Sequence, residues 1–239
     1  MTTARTLVAL ATYNELDNLP GLVDEILRVL PEADVLVVDD NSPDGTGHWC
    51  DERAARESRL HCIHRPGKLG LGTATLDAVR FALDRGYDIF ITLDADWSHD
   101  PRHLPALIQA TEHADVAVGS RYCAGGRIEG WPLHRRVLSR CINGLSRVLL
   151  RLPVRDSSGS YRAYRVAKLR ELPLENIHAG GYAYLEEILW HLHRSGATFA
   201  EVPITFHQRR GGRSKVSLRE IGGKIWMLSR LALQRPRRT

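Results

Sequence analysis

The sequence predicts an α/β fold: a mostly parallel central sheet with helices on both faces. Three observations predict it. Short apolar runs recur through the first half, separated by stretches of helical periodicity. The runs are continuous rather than alternating, as strands covered on both faces require. Acidic and small polar residues follow the runs directly, and open α/β sheets bind ligands beyond the carboxyl ends of their strands. At 239 residues and 43% apolar content, the chain suits a single domain with a sizeable core.

The elements follow in order. Residues 6–12 read as the first strand. Over 16–30, Leu16, Leu19, Leu22, Val23, Ile26, Leu27 and Leu30 keep helical spacing. Apolar runs at 35–38 and 89–93 are further strands, with a helix over 73–83 between them and another strand at 115–119. A glycine-rich loop (Gly125, Gly126, Gly130) then leads to an amphipathic helix over 133–151, in which Arg135, Arg136, Arg140, Arg147 and Arg151 lie among and opposite the apolar residues. A helix over 181–194, an alternating strand over 198–206, a basic loop over 209–215 and an amphipathic helix over 217–233 complete the chain. The pattern changes past residue 120, which divides the domain into residues 1–120 and a basic part, residues 121–239.

Charge sharpens that division. Residues 1–120 hold ten Lys and Arg against twenty Asp and Glu; residues 121–239 hold twenty-three against eight. An acidic half suits cation ligation and a basic half suits an anionic partner. No stretch approaches the roughly 18–20 uncharged apolar residues of a spanning helix, and no signal peptide is visible. The four cysteines form no CxxC, which points to a reduced, cytoplasmic setting. His61, Cys62 and His64, or His48 with Cys50, lack a second Cys/His pair at zinc-finger spacing, and alternation on a strand accounts for the first set. His99 and His207 read as exposed polar positions.

Three strand ends carry the candidate chemistry. They are Thr12-Tyr13-Asn14-Glu15, Asp39-Asp40-Asn41-Ser42-Pro43-Asp44-Gly45-Thr46 and Asp94-Ala95-Asp96-Trp97-Ser98-His99. Carboxylates gathered at neighbouring strand ends need a cation or donors between them. Asp94 and Asp96, two apart, would share one face of an ideal strand. Hard oxygen ligands suit Mg²⁺ or Mn²⁺ bridging a diphosphate. For 41–44, turn and helix-cap chemistry explains the residues equally well.

In this order and spacing the motifs resemble those of the dolichyl-phosphate mannosyltransferase group of glycosyltransferase family 2, from residue 7 to about 215. Further matching pieces are Lys68-Leu69-Gly70-Leu71-Gly72-Thr73-Ala74, Gly119-Ser120-Arg121-Tyr122, Gly130-Trp131 with Arg135 and Ser139, Asp156-x-Ser158-Gly159-x-x-Arg162, Gly181-Tyr182 with Glu187, Glu201-Val202-Pro203-Ile204, and Arg209 with Gly212, Ser214 and Lys215. The resemblance implies a glycosyltransferase A-type, Rossmann-like fold. It implies inverting transfer of mannose from GDP-mannose to a polyprenyl or dolichyl phosphate, supported by Mg²⁺ or Mn²⁺. UDP-glucose as donor, or a non-catalytic nucleotide-sugar or nucleic-acid binding protein, are the competing readings; no aromatic platform or reading helix for nucleic acid is evident.

Carried over by position, Thr12, Tyr13, Glu15 and Asp40 bind the nucleoside side of the donor. Lys68, Asp94, Ala95, Arg209 and Lys215 complete the donor set. Asp94, Asp96 and Ser98 hold metal, and Arg121, Arg135 and Ser139 hold the acceptor phosphate. Asp96, Arg121 and Arg135 are the expected catalytic residues. Two departures stand out: Ser98 where archaeal-type members carry a metal-ligating Gln, and Leu185 where a Gln commonly sits. The resemblance is to the soluble branch without C-terminal spanning helices. That branch works peripherally at the cytoplasmic membrane face and can depend on a membrane-anchored partner.

Overall fold

The computed structural model describes residues 4–177, 184–208 and 218–234. The first half alternates as the apolar pattern requires: β1 (Thr6–Thr12), α1 (Leu19–Val29), β2 (Asp34–Asp39), α2 (Thr46–Ala54), β3 (Leu60–His64), α3 (Leu71–Asp84), β4 (Ile89–Asp94), α4 (Leu104–Ala110) and β5 (Val116–Ser120). The second half runs β6 (Arg127–Ile128), α5 (Leu133–Leu150), β7 (Arg162–Arg165), α6 (Val166–Leu169), α7 (Tyr184–Arg194), β8 (Phe199–Pro203), β9 (Thr205–Phe206) and α8 (Leu218–Leu233).

Seven strands form one sheet in the order β3-β2-β1-β4-β7-β5-β8, and β6 pairs with β9 in a small ribbon. All neighbours in the large sheet are parallel except β7, which runs antiparallel between β4 and β5. The register sets the strand ends side by side: Thr12 lies opposite Asp39, Ala11 opposite Asp94, and Asp39 opposite His64. Polar residues far apart in sequence therefore share one edge.

Successive residues of β1 point to opposite faces. Val8 and Leu10 join α1 in one core layer, while Leu7 and Ala9 join α3 and α7 in the other. The expected strand over 198–206 is two strands. Ile204 breaks it, donating its N–H to Ser120 and accepting from Arg127, and so hands the chain from the large sheet to the ribbon.

Helix α5 is built differently. Its buried positions include Asn143, Ser146 and Leu150, whereas Leu133, Val137, Leu138 and Val148 are exposed, Leu133 and Val148 each by 76%. Leu145 and Leu149 pack against the core at their edges.

Candidate active site

At the ends of β1 and β2 the polar residues stitch two loops together. Thr12 Oγ1 donates to Asp39 Oδ1 at 2.9 Å, and Asp39 also accepts the Ser42 hydroxyl and backbone N–H. Asn14, Asn41 and Trp97 have left-handed backbones, which Asn tolerates better than other residues with side chains. Asp44 accepts from Thr46 and from the Leu16 N–H, so the turn-and-cap reading holds for this carboxylate. Glu15 N–H donates to Thr46 Oγ1, and its carboxylate accepts from Asn18.

Asp40 is buried and ion-paired with Arg65, and it accepts the Gly70 N–H at 3.0 Å. Arg65 also donates to Thr73 and to Gly70 O. The loop carrying Lys68 is thus tied to the end of β2. Lys68 Nζ sits 3.8 Å from the centre of the Tyr13 ring, so two of the expected donor residues meet across the loops. Arg65, the residue that fixes this loop, carries no motif that would have singled it out.

The β4 end corrects one expectation. The strand stops at Asp94, and Asp96 lies in the turn that follows, so the two carboxylates are not successive positions on one strand face. Asp94 Oδ1 accepts the Ser160 hydroxyl at 2.6 Å, and Asp96 Oδ1 accepts the Ser98 N–H at 3.0 Å. Asp94 keeps 35% of its side chain exposed. Ala95 and Ser98 are buried. Asp94 and Asp96 thus place two partly exposed carboxylates at the end of β4, and carboxylate oxygens are the donors that hard divalent cations take.

His99 corrects a second expectation. It is 2% exposed, not a surface residue, and stacks between Tyr161 and Phe206 with ring centres at 4.9 and 5.3 Å. Its Nδ1 accepts the Asp94 N–H at 3.1 Å, which assigns the ring proton to Nε2. Burial pushes the His99 pKa below the usual histidine range. His207 is partly exposed and paired with Glu129.

Arg121 is 7% exposed and doubly paired with Asp156: Nε to Oδ2 and Nη2 to Oδ1, both at 2.7 Å. Its own N–H donates to the same carboxylate, and Nη2 reaches Ser158. Burial alone would lower the Arg121 pKa; the Asp156 charge more than reverses it. For Asp156 burial acts upward, and Arg121 holds the carboxyl below its usual range. Tyr122, Trp131 and Phe206 surround the guanidinium at 5.4 to 5.5 Å. Arg135 stacks on Trp131 at 3.8 Å, and Ser139 Oγ accepts the Tyr122 hydroxyl at 2.7 Å. The chain folds back on Arg121 at Gly126, where an added Cβ would lie 2.5 Å from Ser120 O.

Two halves of the sequence meet here. Arg121 lies close enough to Asp94 to feel its charge. The link is the 156–160 loop, which pairs Arg121 at one end and donates to Asp94 at the other. Arg209, Lys215, Gly212, Ser214, Gly181 and Tyr182 lie outside the described residues. Leu185 is buried, and its carbonyl accepts from Arg162.

A mostly parallel sheet with helices on both faces and acidic residues at its strand ends is the glycosyltransferase A-type fold. The fold is matched by glucosyl-3-phosphoglycerate synthase from Mycobacterium tuberculosis, solved with Mn²⁺, UDP and glucosyl-3-phosphoglycerate (TM-score 0.66, 19% identity, 96% of this chain and 79% of that one). A mannosyltransferase from Pyrobaculum calidifontis, solved with GDP-Man and Mn²⁺, matches at TM-score 0.58 and 17% identity over 90% of this chain and 59% of that one. Residues 7–173 match the model of glycosyl transferase family 2, and the chain belongs to that family and is a glycosyltransferase. It is 41% identical to an undecaprenyl-phosphate mannosyltransferase of Micrococcus luteus, over 96% of this chain and 94% of the relative. It is 44% identical to a polyprenol monophosphomannose synthase of Mycolicibacterium smegmatis, over 90% and 82%.

Proposed function

We propose that this enzyme transfers mannose from GDP-mannose to the phosphate of a polyprenyl chain, giving polyprenyl-phosphate-mannose and GDP with inversion at C1. The observation that carries this reading is the join between Asp94 and Arg121 through the 156–160 loop. It sets a site for a nucleoside diphosphate beside a site for a second anion. The names of the two relatives supply the sugar and the class of acceptor.

The residues divide the work. Tyr13, Glu15, Asp40 and Lys68 line the end that takes the nucleoside and pyrophosphate, with Thr12 bracing Asp39. Asp94 and Asp96 would hold Mg²⁺ or Mn²⁺, which when bound supplies Lewis-acid charge to the leaving diphosphate. Arg121 and Arg135 receive the acceptor phosphate, and Ser139 holds Tyr122 beside them. Asp156 fixes Arg121 before any ligand arrives, so its charge needs no reorganisation during the reaction. The acceptor is already an anion near neutral pH, so no base is needed. Its oxygen attacks C1 as the bond from C1 to the diphosphate breaks, and the electron pair leaves with GDP. The arginines offset the repulsion between the two phosphates and hold the approach geometry.

The acceptor's lipid also gives α5 a role. Leu133, Val137, Leu138 and Val148 are exposed, with Arg140 and Arg147 exposed beside them, and on α8 Trp226 is 65% exposed. Such a surface suits an anionic bilayer: apolar residues enter the interface and arginines meet head groups. This surface is what supports a peripheral position at the cytoplasmic membrane face; among the described residues no helix is long and apolar enough to cross a membrane.

The test supplies GDP-mannose and UDP-glucose separately, with Mn²⁺ and a short polyprenyl phosphate. Lipid-linked mannose from GDP-mannose alone is the expected result. Lipid-linked glucose would move the donor assignment, and no lipid product from either donor would end the reading.

A further inference from the structure

The outer edge of the sheet carries a cluster that the transfer reaction does not use. Cys62 and His64 are two apart on β3 and so project from the same strand face. That face meets α2, which brings Asp51 to them. One ligand atom from each of Asp51, Cys62 and His64 lies within 4.8 Å of the other two. His64 Nε2 and Asp51 Oδ1 are 2.8 Å apart. Cys50 is buried in the core layer against which Cys62 packs.

We propose that Asp51, Cys62 and His64 form a second cation site, selective for a zinc-like divalent ion rather than for Mg²⁺. A thiolate, an imidazole and a carboxylate are the donors of Zn²⁺ sites, whereas Mg²⁺ takes oxygen alone. Three protein ligands leave the fourth tetrahedral position to water. Closing from the observed spacing onto Zn–S of about 2.3 Å and Zn–N of about 2.0 Å requires shifts of about an ångström. Asp51 and His64 are half exposed, at 60% and 50% of their side chains, so both can make that shift.

A Cβ added at Gly47 would lie 3.1 Å from His64 Nδ1 and 3.2 Å from Asp39 Oδ2. The absence of a side chain at Gly47 leaves room for both groups at the start of α2. Sequence spacing misses the site because the third donor comes from a helix and is an aspartate.

The experiment uses the intact protein with Co²⁺ as a spectroscopic probe and Zn²⁺ as competitor. Cobalt held by Cys62 gives a thiolate-to-metal charge-transfer band, which oxygen-only ligation at Asp94 and Asp96 does not produce. The band should titrate to one equivalent, be displaced by Zn²⁺ and not by excess Mg²⁺, and vanish in Cys62→Ser. Asp51→Ala and His64→Ala should weaken Zn²⁺ by more than the roughly 10- to 100-fold expected when only a group behind the ligands is lost. Both positions are exposed, so these variants fold. No band in the unmodified protein, a band that persists in Cys62→Ser, or Zn²⁺ affinity unchanged in both exposed variants would overturn the site.

Discussion

The carboxyl edge of the sheet and helix α5 obey opposite burial rules. Along β1, β2 and β4 the apolar residues point into two core layers, and the carboxylates Asp39 and Asp94 stand where the strands stop. In α5 the polar Asn143 and Ser146 point inward beside Leu150, while Leu133, Val137, Leu138 and Val148 face out. The first arrangement is what a stable fold selects. The second is tolerated because Asn143 is fully employed: its Oδ1 accepts the N–H groups of Ser157 and Ser158, and its Nδ2 donates to Ser158 and to Ser139 O. That network holds the loop linking Arg121 to Asp94. The helix holds that loop through its inner face and leaves Leu133, Val137, Leu138 and Val148 exposed on the other.

The comparison breaks most severely at the loop between the two regions. Asp156→Ala should destabilise the fold by about 3–5 kcal/mol, because it strands the buried Arg121 charge; denaturant unfolding measures it. The sign with pH follows from the depressed folded-state pKa of Asp156. Its contribution is complete above the ordinary carboxylate value and is lost as pH falls through the folded value. The gap between the native protein and Asp156→Ala should therefore be constant near neutrality and shrink in acid. A gap that widens on acidification would reverse this account. Next in size, Asp96→Ala should lower turnover by about 100- to 1,000-fold, the scale of losing one preorganised electrostatic element. Its melting temperature should stay close to that of the native protein, since Asp96 lies in a half-exposed turn. Near-native turnover in that variant would remove Asp96 from the site.

How much was legible in the sequence differs between the same two regions. Strands β1, β2, β4 and β5 declare themselves by local apolar runs, and their register then sets Thr12, Asp39 and Asp94 along one edge. β7 does not. It is Arg-Ala-Tyr-Arg, and Arg162 is completely buried because Ser157 O, from the preceding loop, and Leu185 O, from α7, accept its guanidinium. His99 reads as a polar loop residue until Tyr161 and Phe206, more than sixty residues further on, close over it. The periodicity of α5 showed an amphipathic helix but not which face the fold would claim. That choice depends on Asn143 finding the 156–160 loop.

Asn143→Ala probes the join from the helix side. It leaves the buried N–H groups of Ser157 and Ser158 without an acceptor, a cost of about 1–3 kcal/mol. The loosened loop should lower kcat/KM for the acceptor more than donor affinity, as single-turnover and nucleotide-binding measurements would show. Equal losses for both substrates would mean that the loop serves the whole fold rather than the acceptor side.

The smallest effect on folding is the sharpest test of the outer face. Leu133→Ser with Val148→Ser should change stability by no more than about 0.5 kcal/mol per site, because both side chains are exposed. In water nothing is lost. At a bilayer each apolar side chain that enters the interface contributes on the order of 1–2 kcal/mol, so the pair should weaken binding to anionic vesicles by at least about tenfold. Added salt should weaken the native protein's binding further, because head-group contacts of Arg140 and Arg147 are screened. Turnover on a short, water-soluble acceptor should survive the double change while turnover on vesicle-bound acceptor falls. Parallel losses on both would place these residues in the catalytic machinery and return α5 to the burial rule that the sheet obeys.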